Sequence, residues 1–301
     1  AESVVVARGR SWRVNGATRI PKCVDQMKIK YFCSWWGLDD LGLRPMLEKV
    51  RGAQYDGIEI GVPSDTARRR ELRALLDEYQ LDVIAHQYQA AGHAFDDYLR
   101  SFEQWIDVAA SFKPLLVNSH TGRDCWTREQ NLRFVEITQK AEQRYGIPIL
   151  HESHRRHFLY SAPAALEYFQ QAPDLMITAD LAHWVCVAES LLVGHEVALG
   201  EAIRRAGHIH ARVGFAEGPQ VPDPFSPIWS RELEVFSGWW LRIAQRFCSE
   251  GRECLTVTPE YGPPPYGWIS LQSGEPLRDF FEMNVLMKDY LNAIFGKISD
   301  H

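Results

Sequence analysis

From Met27 onward two kinds of segment alternate along the chain: short runs of β-branched and aromatic residues, and longer stretches whose apolar positions recur with helical period. The short runs predict strands at Lys28–Cys33, Gly57–Ile60, Val83–His86, Leu115–Ser119, Ile147–His151, Met176–Ala179, His208–Ala211 and Leu255–Thr258. Between them the period predicts helices over Leu43–Gln54, Asp65–Tyr79, Asp96–Phe112, Arg128–Tyr145, Ala164–Gln171, Val197–Ala206 and Ser237–Ser249. A last helix, Leu277–Phe295, closes the chain. Strand and helix repeating eight times make one closed (β/α)8 parallel barrel, of the TIM type, the economical α/β fold. An open doubly wound sheet would announce itself by a glycine-rich turn after an early strand, and no GxGxxG or GxxxxGK[ST] occurs.

Gly and Pro concentrate after the last two strands, in Gly214–Pro227 and Gly262–Gly267. They lengthen the loops at the end where barrel enzymes hold their sites. Residues 1–26 stand apart as an N-terminal extension, in which Ser3–Ala7 and Ser11–Val14 alternate as a β-hairpin would; a transit-like basic segment and an expression remnant are the other readings. The barrel is then expected to span residues 27–301.

Composition narrows the function classes. With 46% hydrophobic and 24% charged residues, the 301-residue chain reads as soluble and globular, not disordered, collagen-like or coiled-coil. Lys and Arg number 33 against 39 Asp and Glu, a net charge of −6, so nothing global drives the chain toward nucleic acid or an anionic membrane. No apolar run approaches the roughly 18 residues of a membrane span. The six cysteines (Cys23, Cys33, Cys125, Cys186, Cys248 and Cys254) form no CxxC pair and read as reduced, mostly buried thiols of a cytoplasmic protein. No sequence feature fixes an oligomer, though a homo-oligomer is compatible; the apolar run through Phe280, Phe281, Val285, Leu286, Tyr290 and Leu291 reads as barrel-facing core.

The acids and histidines fall where the strands end. Strand five runs into His151-Glu152-Ser153-His154, strand six into Asp180-Leu-Ala-His183, strand seven carries His208-Ile-His210, and strand eight runs into Glu260. Two Glu, one Asp and one His thereby converge on a barrel mouth. Any one acid there could simply cap the following helix or pair with an Arg, but four in register point to a metal. Carboxylates with a single imidazole suit one divalent ion, Mn²⁺ first, with Mg²⁺, Co²⁺, Fe²⁺ or Zn²⁺ also compatible. His208 and His210 share a strand face; His210, nearer the end, is assigned the ligand role. His183, just past strand six, is expected to touch substrate.

These residues resemble a known family, the xylose isomerase-like barrels of the sugar phosphate isomerase/epimerase kind, over most of the chain from Lys28 to Phe295. The family includes ketose 3-epimerases, hydroxypyruvate isomerases, inosose dehydratases and family-two AP endonucleases. The resemblance implies that Glu152, Asp180, His210 and Glu260 hold the metal, as Glu, Asp, His and Glu do in the epimerase branch. The Asp-x-x-His and Gly-His-x-His patterns of that branch stand here as Asp180 to His183 and Gly207 to His210.

The chemistry expected of such a site is proton transfer next to a carbonyl, through an enediolate, with Glu152 and Glu260 as catalytic bases on opposite faces of a keto sugar or sugar derivative. Isomerisation or epimerisation is the first expectation. Elimination from a 3-keto-glycoside by a lyase or deglycosidase is the alternative with the same ligands. Two departures stand out: Phe158 and Ala216 occupy positions where the ketose epimerases carry a further Glu and Arg. Arg212 could supply the missing cation.

Trp36 and Trp184, with Trp35, Tyr88, Trp126, Tyr261, Tyr266 and Trp268, are expected around the mouth, as flat faces for a sugar or an aglycone. His86, His120 and His154 are expected to line the same pocket. His86 and His120 also fall where the endonuclease branch has further zinc ligands, but the Asp-x-His of that branch is missing from Ala211–Pro227. An endonuclease-like hydrolase and a non-catalytic sugar-binding subunit are the remaining alternatives.

Overall fold

The computed structural model describes residues 2–7, 10–15 and 27–296. Strands β1 (Glu2–Ala7) and β2 (Arg10–Asn15) pair antiparallel as a two-stranded sheet. The rest of the 1–26 extension lies outside the described residues.

The next eight strands are β3 (Lys28–Ser34), β4 (Gly57–Ile60), β5 (Asp82–Gln87), β6 (Val117–Ser119), β7 (Ile149–Glu152), β8 (Ile177–Ala179), β9 (Ala206–Ala211) and β10 (Cys254–Pro259). They pair in parallel in chain order, and β10 returns to β3 to close the barrel expected from the sequence. Around them lie α1 (Leu43–Gly52), α2 (Thr66–Tyr79), α3 (Phe95–Ser111), α4 (Arg128–Tyr145), α5 (Ala162–Gln171), α6 (Leu181–Val187), α7 (Glu196–Arg205), α8 (Ser230–Ser249) and α9 (Phe280–Gly296).

Local chemistry sets the helix limits. Thr127 and Gln130 form a reciprocal capping box at the start of α4, and Gly146 ends that helix with φ 67°. Helix α8 begins at Ser230 rather than Ser237, because Leu233 and Phe236 continue its buried face. Helix α6 was not expected. Its seven residues are too few to show a period, and the Asp180 side chain caps it by accepting from the Ala182 amide.

The strand period of two explains how the barrel carries a polar site above an apolar floor. Phe32, Ile84, Leu116 and Leu150, with Met176 against them, plug the interior. Two residues further along the same strands come Ser34, His86, Asn118, Glu152 and Thr178, on the same inward face toward the C-terminal mouth. Gly57 makes the plug fit, since a Cβ there would lie 2.5 Å from the Phe32 ring and 2.3 Å from the Asp82 carbonyl oxygen. Phe102, Phe134, Trp240 and Phe247 fill the layer between strands and helices.

Cys33, Cys125, Cys186 and Cys254 are free thiols, of which Cys125 is exposed. The expectation of six reduced thiols fails at Cys248, which is disulfide-bonded. Among the described residues, no helix is long and apolar enough to cross a membrane.

Candidate active site

Four acids and imidazoles expected at the strand ends meet in one cluster. Glu152 closes β7, Asp180 follows β8, His210 stands on β9 and Glu260 follows β10. One ligand-type atom from each lies within 4.8 Å of the other three, and all four side chains are buried. His210 Nδ1 sits 2.9 Å from Glu260 Oε2 and 3.8 Å from Glu152 Oε2. His210 Nδ1 and Glu260 Oε2 thus face each other as an ion pair, though not in good hydrogen-bond alignment. Three carboxylates with one imidazole are a fitting donor set for a divalent cation. These four residues could hold one metal ion.

The electrostatics of the cluster are strongly coupled. Burial pushes the Asp180 carboxyl up to about 6, with the Arg212 guanidinium only partly opposing it. Burial would likewise raise Glu152 and Glu260, but His120 and His210 hold Glu152 well below the usual carboxylate range. His210 and Arg212 do the same for Glu260 more mildly. Burial would lower His210, yet Glu260, Glu59 and Glu152 together raise it well above an ordinary imidazole. Arg212, itself buried, bonds to Asp180 and lies 3.2 Å from Glu260, so one fixed cation already stands among the acids. Its guanidinium also donates to His183 Nε2 at 3.0 Å, which fastens the second imidazole of the Asp-x-x-His pair.

A second group adjoins the first. His86 Nε2 and His120 Nε2 are 3.3 Å apart and lie 3.8 and 3.2 Å from Glu152 Oε2, a triangle that could also hold a cation. Burial, helped by His120 beside it, lowers His86 to about 4, so its ring is neutral near pH 7. His154 packs on His183 with ring centroids 3.8 Å apart.

Two inward residues escaped the sequence reading. Glu59, between two isoleucines on β4, is 2% exposed and accepts from Thr258 Oγ1 at 2.6 Å and Asn118 Nδ2 at 2.8 Å. Asn118 donates from the same amide nitrogen to Glu152 Oε2, also at 2.8 Å. The only available signal was a Glu inside an otherwise apolar strand, and Asn118 gave still less.

Above the cluster opens a cleft of about 300 Å³. Glu152, Glu260, Arg212, His86, His120 and His154 form its floor, and Trp35, Trp36, Tyr88 and Tyr266 its walls, with Asp39 at one side. Trp36 meets Tyr266 edge to face at 4.9 Å, and Trp35 lies 5.9 Å from Tyr88. Gly262 lets Trp36 lie there, because a Cβ at that position would fall 2.2 Å from the indole. Gln220 braces the Gly262 backbone from both sides, at 2.7 and 3.1 Å.

The structure takes other aromatics away from the mouth. Trp184, expected to contact substrate, is fully buried and donates its indole N–H to the Leu159 carbonyl; α6 turns it into the core. Trp126 stacks on Phe134 at the side of the barrel. Tyr261 is tied down by Asn284 and the Pro222 carbonyl.

Fold and site together define a parallel (β/α)8 barrel with carboxylates and imidazoles gathered at its C-terminal mouth. A family model described as the xylose isomerase-like TIM barrel matches residues 47–222, more than half of the chain, and the chain belongs to that family. Glu152, Asp180 and His210 fall inside the matched region, and Glu260 lies beyond it. No curated protein matches the sequence.

Among solved structures, a 3-keto-D-glucoside 4-epimerase from E. coli is similar with a TM-score of 0.59 and 12% identity, over 87% of this chain and 99% of that one. A D-tagatose 3-epimerase-like protein gives 0.61 and 16%, over 89% and 99%. A sugar phosphate isomerase/epimerase from Parabacteroides distasonis gives 0.50 and 13%, over 91% and 94%. At these identities the likeness is one of fold.

Proposed function

We propose that the chain is a divalent-metal-dependent isomerase or epimerase acting on a keto sugar or sugar derivative. The observation that carries this reading is the convergence of the buried Glu152, Asp180, His210 and Glu260 side chains, three carboxylates and one imidazole, at one point of the mouth. When bound there, a divalent ion supplies a Lewis acid for a carbonyl and its neighbouring hydroxyl, which lowers the cost of an enediolate. The protein's own residues do the rest. Glu152 and Glu260, three strands apart around the ring, take the proton from one face of the substrate carbon and return it at the other. Arg212 donates to substrate oxygens, and the walls of Trp36 and Tyr266 pack on the sugar's C–H faces; His183, expected to touch substrate, is fully buried and does not line the cleft, so it acts on substrate only through Arg212. The fold shared with sugar epimerases supports the substrate class.

A second reading, elimination from a 3-keto-glycoside, is favoured by one observation: the four-aromatic wall gives room for an aglycone beside a single sugar ring. Both readings begin with the same proton removal, and release of the aglycone separates them.

Elemental mass spectrometry of the purified protein is the first test. About one Mn, Co, Fe, Mg or Zn per chain is expected, lost in both His210→Ala and Asp180→Ala. Incubation of the loaded protein with keto sugars and 3-keto-glycosides in D₂O should then incorporate solvent deuterium. Glu260→Gln should lower turnover by about 10²–10⁴-fold. A protein that takes up no divalent ion under any loading condition overturns the reading.

A further inference from the structure

We infer that Glu59 is a positioning residue that presents His210 to the site through Nδ1. The inference rests on the metal reading of the mouth and deepens it. Both Glu59 carboxylate oxygens lie 3.0 Å from His210 Nε2. That nitrogen therefore donates to Glu59, and Nδ1 is the atom left facing Glu260 and Glu152. A ring nitrogen that ligates a metal gains basicity and a fixed orientation when its other nitrogen donates to a carboxylate.

Glu59 can hold the ring because it is itself held from several sides. Thr258 Oγ1 on β10 and Asn118 Nδ2 on β6 donate to it, and His208 Nε2 lies 3.3 Å away. Asn118 spends its two amide hydrogens on two acids, Glu59 and Glu152, each at 2.8 Å. The carboxylate that orients the imidazole and the carboxylate assigned as a base are thus tied through one side chain. A buried acid with four neighbouring donors, reaching the underside of the imidazole, is not required by the apolar plug. Gly57, two residues earlier on the same face, already accommodates that layer.

The test compares wild type with Glu59→Gln, which keeps the shape and removes the charge. Calorimetric titration of the metal-stripped proteins with Mn²⁺ should show about 10–100-fold weaker binding by the variant, with an unchanged far-UV circular dichroism spectrum. A merely structural role would lower the melting temperature and leave Mn²⁺ affinity alone, and equal affinity overturns the inference. Histidine-ring ¹H–¹⁵N spectra of the wild type give a second readout that needs no variant to fold. His210 should keep its Nε2 proton before and after loading with Zn²⁺, while Nδ1 loses its own on loading. Loss of the Nε2 proton instead overturns the inference. If the wild type binds no ion, the metal reading and the role of Nδ1 as a ligand fall together, whereas equal affinity of the two proteins leaves the metal reading standing and removes only Glu59.

Discussion

Arg212 is the residue that most distinguishes this mouth. Its guanidinium bonds to Asp180 and lies beside Glu260, two of the four groups that would hold an ion, and rests over the Tyr266 ring at 5.0 Å. A fixed positive charge next to an incoming divalent ion opposes its binding, and in a buried site that repulsion is weakly screened. Arg212→Met should therefore bind Mn²⁺ more tightly, by roughly tenfold or more, while its KM for substrate rises because an oxygen donor is gone. Weaker ion binding by the variant would show that Arg212 instead organises the acids. At this scale the sequence was legible wherever chemistry closes a strand: Glu152, Asp180, His210 and Glu260, each ambiguous alone, were read as a group from their register, and the structure brings them together. Glu59 and Asn118 were not, because they lie within strands, where the inward face is settled only by the barrel's register. Trp184 misled for the converse reason. It follows a strand in sequence, but a seven-residue helix turns it into the core.

At the level of elements, the loop after β10 is held by contacts from distant parts of the chain. Asn284 on α9 accepts from the Tyr261 amide at 2.6 Å and donates to the Tyr261 carbonyl at 3.0 Å, while Gln220 grips Gly262. These clamps fix Glu260 from its C-terminal side and press the loop against Trp36. Gly262→Ala places a methyl group inside the volume of the indole, so Trp36 must leave the wall. Loss of one aromatic contact of about 1 kcal/mol should raise KM roughly fivefold, with metal content unchanged. An unaltered KM would mean that Trp36 does not touch the substrate. The alternation of strands and helices was legible, and so were the glycine-rich loops. The clamps were not: Gln220 and Asn284 are ordinary polar residues until the fold brings them to one backbone segment.

For the whole molecule, folding buries a set of histidines, inside the mouth and between strand and helix, that would each ionise near 6.5 in an unfolded chain. Burial lowers His86 to about 4, and His151 and His157 to about 3, with neighbouring His120 adding to the effect on His86 and His157. His154 and His183 are lowered well below 6.5 by burial as well. Each of these groups stays neutral in the native state while the unfolded chain takes up a proton, so its contribution to stability is present above about 6.5 and is lost as the pH falls. Asp180 acts oppositely, since burial raises it to about 6 and the native state gains a proton there first. His210, raised, is protonated in both states below about 6.5 and adds no slope in that range. Five histidines against one carboxyl leave the unfolded state binding more protons. Each uncompensated proton costs about 1.4 kcal/mol per pH unit. Urea unfolding of the metal-stripped protein between about pH 7 and about pH 5 should therefore show stability falling steeply on acidification. His157→Gln should reduce that slope by about one proton. A flat profile, or one that rises toward acid, would mean that these buried histidines are hydrated and protonated in the native barrel, and the neutral ring described for His86 would be wrong.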